Sequence, residues 1–207
     1  KLGDEVFFQS FSSYFVFNET KHTITPNNPN PGPLFFFRAG NGLYGQFIGD
    51  SFSQYDGKGF RPLLTPDNLR NDMVAGVVPT TSGMLLFLTK RGILSYDSGS
   101  NRLSTWNERV DDLLKNTTTN RVLPLTDSTF VIGTLEDGLY AFHLDGSLLW
   151  HLNKSNGLYN NTVLGLFGDE EGNIWAALDN GISYIQPNSP FWFYEPTSIQ
   201  IGLVEDM

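Results

Sequence analysis

LGLFGDEEGNIWAALDNGISYI, residues 164–185, sets an acidic, glycine-containing turn between two apolar runs and adds a second glycine turn before a short aromatic stretch. Leu164, Leu166 and Phe167 lead into Gly168-Asp169-Glu170-Glu171-Gly172-Asn173, and Ile174, Trp175, Ala176 and Ala177 lead out. Apolar runs joined by a polar turn form a β-hairpin. Asp179-Asn180-Gly181 supplies the next turn, because Asn, Asp and Gly accept the positive φ that tight turns require. Ile182 to Ile185 is then a third strand, and three strands in about twenty residues make a meander.

The same pattern recurs along the chain. Phe130-Val-Ile-Gly-Thr-Leu-Glu-Asp-Gly-Leu-Tyr-Ala-Phe142 and Leu86-Phe-Leu-Thr-Lys-Arg-Gly-Ile-Leu-Ser-Tyr96 repeat its last two strands, and looser copies run from Gln46 to Tyr55 and from Phe8 to Phe17. The turn residue falls at Ser13, Ser51, Gly92, Gly138 and Gly181, at spacings of 38, 41, 46 and 43. Four residues later comes a large apolar residue each time: Phe17, Tyr55, Tyr96, Phe142 and Ile185. A period of about 40 to 45 with short strands and glycine turns is that of a four-stranded propeller blade. Helical repeats would carry apolar residues at three- and four-residue spacing over ten or more positions. Asn107 to Asn116 alone does so, with Val110, Leu113 and Leu114 on one face, and is expected to be a short helix between blades.

The expected fold class is therefore all-β, a partial β-propeller of about five four-stranded blades, in one fragment over residues 1–207. The blades are expected at 1–30, 31–70, 71–115, 116–160 and 161–195, with 196–207 opening another. Lys1 lies almost directly at a strand and Ser198 to Met207 has the pattern of a first strand. Five blades and a stub would leave two open edges, so the chain is expected to be an excerpt of a propeller of about seven or more blades.

Composition fits many strands and turns: aromatic residues are 14% of the chain, with 17 Phe, 21 Gly and 11 Pro, against 17% charged. A net charge of -9 with no basic stripe argues against contact with nucleic acid. The absence of cysteine excludes disulfides and thiolate chemistry. No apolar run approaches the length of a membrane span, and residues 1–20 lack a signal-peptide pattern.

Residues 156–184 closely resemble the two-component regulator propeller repeat, whose blades carry the pattern GL..N.V..I..D..GNIW.GT..GL. Gly157, Leu158, Asn161, Val163, Asp169, Gly172, Asn173, Trp175, Gly181 and Ile182 occupy its positions. Ala177 stands where the repeat usually has Gly, and the copies around Gly92 and Gly138 keep only its second half. Gly92, Gly138, Gly172, Asn173, Trp175 and Gly181 are thereby expected to be structural residues of the repeat. The resemblance implies the periplasmic sensor region of a membrane-anchored regulator of Bacteroidetes, followed in the parent by a triple-tyrosine β-sandwich, a membrane helix and an output module. One group of such regulators ends in a histidine kinase with a receiver and a helix-turn-helix, and is commonly linked to glycan utilisation. A second ends in a LuxR-type helix-turn-helix without a kinase, and Phe7-Phe8-Gln9-Ser10-Phe11-Ser12 resembles that group more; both outputs stay open. The implied function is noncatalytic ligand sensing, with an oligosaccharide as ligand and a homodimer as the parent's assembly.

Candidate chemistry is sparse. Asp169, Glu170 and Glu171 are adjacent, whereas a calcium loop needs alternating oxygen ligands and a distant bidentate Glu; a solvated turn is the expectation. His22, His143 and His151 lack metal-ligand spacing, and no nucleophile elbow, zinc-binding His-Glu-x-x-His or phosphate loop is present. No catalytic residue, metal or cofactor is expected. Trp106, Trp150, Trp175 and Trp192, with Phe191 and Tyr194, are the candidates for stacking against a sugar. Packing between blades is favoured for Trp175. In Phe191-Trp192-Phe193-Tyr194, adjacent rings would alternate faces in a strand, so Phe191, Trp192 and Tyr194 are the candidate ligand-binding residues. The alternative reading is a secreted propeller lyase or glycosidase, or a protein-interaction propeller. Sequons at Asn18, Asn116, Asn153 and Asn160 would mark surface loops only in a eukaryotic secretory protein.

Overall fold

The computed structural model describes residues 1–10 and 12–189. Among these the chain is all-β apart from one helix, and it divides into two units, residues 1–116 and 117–207.

In the first unit, β1 (Glu5–Gln9), β2 (Tyr14–Asn18) and β3 (Thr23–Asn27) form a three-stranded sheet. Two four-stranded sheets follow, β4 (Pro33–Ala39), β5 (Gly42–Phe47), β6 (Phe52–Tyr55) and β7 (Phe60–Leu64), then β8 (Val74–Pro79), β9 (Gly83–Leu88), β10 (Ile93–Asp97) and β11 (Arg102–Thr105). Helix α1 (Glu108–Leu114) closes the unit. In the second, β12 (Thr119–Pro124), β13 (Thr129–Thr134), β14 (Leu139–His143) and β15 (Leu148–Leu152) form a four-stranded sheet, followed by β16 (Val163–Gly168), β17 (Ile174–Leu178) and β18 (Ile182–Ile185). Every bonded neighbour is the next strand in sequence, the meander of a propeller blade.

The recurring turn has a common geometry. Gly92, Gly138 and Gly181 adopt φ of 83°, 72° and 98°. Their carbonyls accept hydrogen bonds from Leu88, Thr134 and Leu178 N–H at 3.0, 2.9 and 2.9 Å, closing equivalent hairpins. A second repeated feature was not visible in the residue pattern: the first strand of each of four sheets shifts register at the same place, between Pro33 and Phe35, Val74 and Gly76, Thr119 and Arg121, and Val163 and Gly165. Such bulges sharpen strand twist. By these landmarks β1–β3 match the second to fourth strands of a blade, and β16–β18 match the first to third. The three-stranded first sheet departs from the four strands expected of every blade; the fifth blade, expected over 161–195, extends past the described residues. After β3 the chain enters Asn28-Pro29-Asn30-Pro31-Gly32, whose prolines lack the N–H a ladder needs.

Alternate strand residues build the cores. Leu69, Val74, Leu86, Leu88, Phe52 and Leu94 are almost fully buried between the second and third sheets. Val131, Leu139, Val163, Ile174 and Ala176 are fully buried between the fourth and fifth. Gly133 permits this second contact, because a Cβ there would lie 2.6 Å from Val163 Cγ1. In α1, Asn107 caps the first turn through Arg109 and Val110 N–H, and Val110 and Leu114 are buried. Leu113, expected on the same face, is 46% exposed, so the covered stripe is narrower than its spacing suggested.

Candidate functional site

A polar cluster of several side chains grows from the turn between β13 and β14. Thr134, fully buried at the end of β13, accepts a hydrogen bond from Asp137 N–H at 2.9 Å and donates to Gly138 C=O at 3.0 Å. This fixes the turn and aims Asp137. A Cβ on Gly138 would lie 2.3 Å from Leu152 C=O and 3.0 Å from Asn153 Cα. Only glycine lets the end of β15 come so close, and that approach delivers His151 and Asn153 to Asp137.

Around the carboxylate, Tyr140 O–H donates to Oδ2, and Asn153 Nδ2 donates to Oδ1 at 2.8 Å. His151 Nε2 lies 2.9 Å from Asp137 C=O and 3.3 Å from Oδ2; facing acceptors only, it carries its hydrogen there. Tyr140 and His151 are direct partners across β14 and β15, their rings stacked at 4.0 Å and 9°. Partial burial opposes ionisation of Asp137, but the hydrogen bonds from Tyr140 and Asn153 and the nearby His151 outweigh it and hold its pKa below the ordinary carboxylate value. Burial first, then the bond and charge of Asp137, raise the Tyr140 pKa. At neutral pH one group is therefore firmly ionised and the other firmly protonated. Neither is poised to exchange protons near pH 7, so the pair acts as a rigid frame.

That frame borders a cavity of about 270 Å³ lined by Trp150, His151, Leu152, Asn156, Ile185, Gln186 and Pro187. Asn156 is held in place, accepting from Asn153 N–H at 2.6 Å and donating to His151 C=O at 2.8 Å. The half-buried Trp150 supplies an aromatic surface. Apolar walls with a few fixed polar groups suit a small polar ligand.

The acidic turn satisfies itself. Asp169 Oδ1 accepts from Glu171 and Asn173 N–H at 3.0 and 2.8 Å, and its Oδ2 accepts from Asn173 Nδ2 at 3.1 Å. Among the described residues no three His, Asp or Glu gather to hold a metal ion. Of the sequence-selected residues, Gly138 belongs to the cluster, while Gly92, Gly172, Asn173 and Gly181 sit in separate turns. Trp175 is 45% exposed, 4.6 Å from the Tyr184 ring. Phe191, Trp192 and Tyr194 lie outside the described residues. Asp137, Tyr140 and Asn153 escaped sequence reading because they meet across strands; pairing Tyr140 with His151 through the hairpin register was the signal available.

No family model matches the chain, and no curated protein does. Solved structures do. The extracellular domain of a hybrid two-component system from Bacteroides thetaiotaomicron superposes with a TM-score of 0.69 at 20% identity, covering 91% of this chain and 26% of that one. The chain has the fold of that domain. A second such domain, from another hybrid two-component system of B. thetaiotaomicron, gives 0.61 at 15% identity over 89% of this chain and 25% of its own. BamB from Moraxella catarrhalis gives 0.54 at 13% identity over 88% and 58%. The chain thus spans about a quarter of the length of the two-component extracellular domains, 26% and 25%. No helix among the described residues is long and apolar enough to cross a membrane.

Proposed function

We propose that the chain is a noncatalytic sensing module, the extracytoplasmic part of a membrane-anchored transcriptional regulator or hybrid histidine kinase, and an excerpt of a larger propeller. The observation that carries the reading is the fold shared with extracellular domains of two-component systems. The cavity beside Trp150 adds a place for a ligand, and an oligosaccharide fits its aromatic wall and amide groups. Phe191, Trp192 and Tyr194 remain proposed as further ligand contacts. Binding signals only through different affinities for two arrangements of the parent, proposed to be a homodimer.

Thermal unfolding of the complete extracytoplasmic region against a panel of plant, host and microbial oligosaccharides tests this. Binding to the folded state raises the melting temperature by mass action, about 2.7 kcal/mol of stabilisation at a hundred times Kd. A saturable shift with one glycan, lost in Trp150→Ala, is expected. Silence across the panel removes the sugar ligand and leaves a protein partner as the signal.

A further inference from the structure

The first sheet is apolar on both faces. Strands β1 and β2 read Glu5-Val-Phe-Phe-Gln9 and Tyr14-Phe-Val-Phe-Asn18, whereas an antiparallel sheet with one solvated face alternates apolar and polar residues. One set of side chains is accounted for: Phe7 and Tyr14 make edge-on contacts with Phe36, Tyr55 and Phe60 of the second sheet at centroid distances of 5.1–6.2 Å. The other set has no such cover among the described residues. Phe8, Phe15, Phe17 and Ile24, brought side by side by the pairings Phe8↔Phe15 and Phe17↔Ile24, line a groove of about 520 Å³ on the opposite face. Phe8, Phe15 and Ile24 are 57%, 40% and 66% exposed. So large an apolar surface marks a contact.

We propose that this outward face is a blade-to-blade interface, covered in the complete protein by the sheet of another propeller blade of the same polypeptide. The occupant follows from three observations. The inner face of β1–β3 is already covered in that way by the second sheet, ring against ring. The sheet has three strands and lacks the equivalent of a blade's first strand, so it is the sheet of the first unit whose blade is incomplete. The two-component extracellular domains of the same fold are far longer than this chain, which covers 26% and 25% of them; that length has room for the covering sheet. The inference rests on the reading of the chain as an excerpt, and adds which surface the missing neighbour takes.

The sequence has no cysteine, so one introduced thiol reports on one place. Ile24→Cys and Phe8→Cys are placed on the face and Lys58→Cys, in an exposed turn, is the control. In the 207-residue chain all three are expected to react with a thiol reagent at similar rates. In the complete polypeptide the two face thiols are expected to react about 100-fold more slowly or less, protected by the cost of opening an interface, while Lys58→Cys is unchanged. Reaction of the face thiols at the control rate in the complete polypeptide overturns the proposal. So does protection that fades on dilution, which assigns the face to a second copy. A complete polypeptide with no further propeller sheet sinks the excerpt reading itself, whatever the labelling rates.

Discussion

Two of the acidic hairpin turns of the second unit do opposite things with their carboxylates. In the turn at Asp169–Asn173 the acid is spent mostly locally, on backbone N–H groups and the Asn173 side chain, with the Trp175 side chain of the next strand as a lesser partner. In the turn at Glu136–Gly138 the acid reaches further, and Asp137 collects Tyr140 from β14, His151 from β15 and Asn153 just past its end. The glycines beside these acids differ in the same sense. Gly172 needs its freedom only for a φ of 81°, with nothing nearer to an added Cβ than Asn188 Nδ2 at 4.0 Å, whereas Gly138 is pressed against Leu152 backbone. Of these two turns, both with neighbouring carboxylates, the one at Asp169 closes mainly on itself, while the one at Asp137 ties together residues distant in sequence.

The largest test of this contrast exchanges the glycines. Gly138→Ala forces a backbone clash as well as a left-handed φ and is expected to cost more than about 3 kcal/mol. Gly172→Ala bears only the conformational term, about 1 kcal/mol. Denaturant midpoints of the two variants measure the gap, and equal losses would break the comparison. Next, Tyr140→Phe leaves the Asp137 carboxylate one donor short and is expected to cost about 1–2 kcal/mol, with the Asp137 pKa rising toward the ordinary value in an NMR titration.

A smaller effect appears in acid. The folded-state pKa of Asp137 is depressed, so its contribution to stability is present above the ordinary carboxylate value, about 3.9, and is lost as pH falls through the lower folded value. Melting temperatures of Asp137→Asn followed from pH 6 downward are expected to show a shallower acid decline than the parent's; a parallel decline would show that the cluster does not hold the charge. Smallest is Glu170→Gln, in the exposed part of the acidic turn, expected within about 0.5 kcal/mol of the parent at any pH.

The architecture was legible because blades repeat: glycine turns at a fixed period, each followed by a large apolar residue, located the hairpins around Gly92, Gly138 and Gly181. The bulges were hidden, since no residue type is demanded at Gly76, Arg121 and Gly165 beyond a fit to twist. The site was mostly hidden too. Trp150 is one of four candidate stacking tryptophans with nothing in its surrounding residues to single it out, while the aromatic run at Phe191–Tyr194 and the acidic triplet are salient by composition alone. Asp137 carries no mark in the sequence; its role arises only when β14 and β15 pair.

The meander has a consequence for how the chain comes into being. Within each sheet of the described residues, strands pair with their immediate successors, so these pairings do not wait for a distant segment, and loop closure, the slow step for most β topologies, is short. Sheets can thus form one after another as the polypeptide emerges from the ribosome, at about 5–20 residues per second.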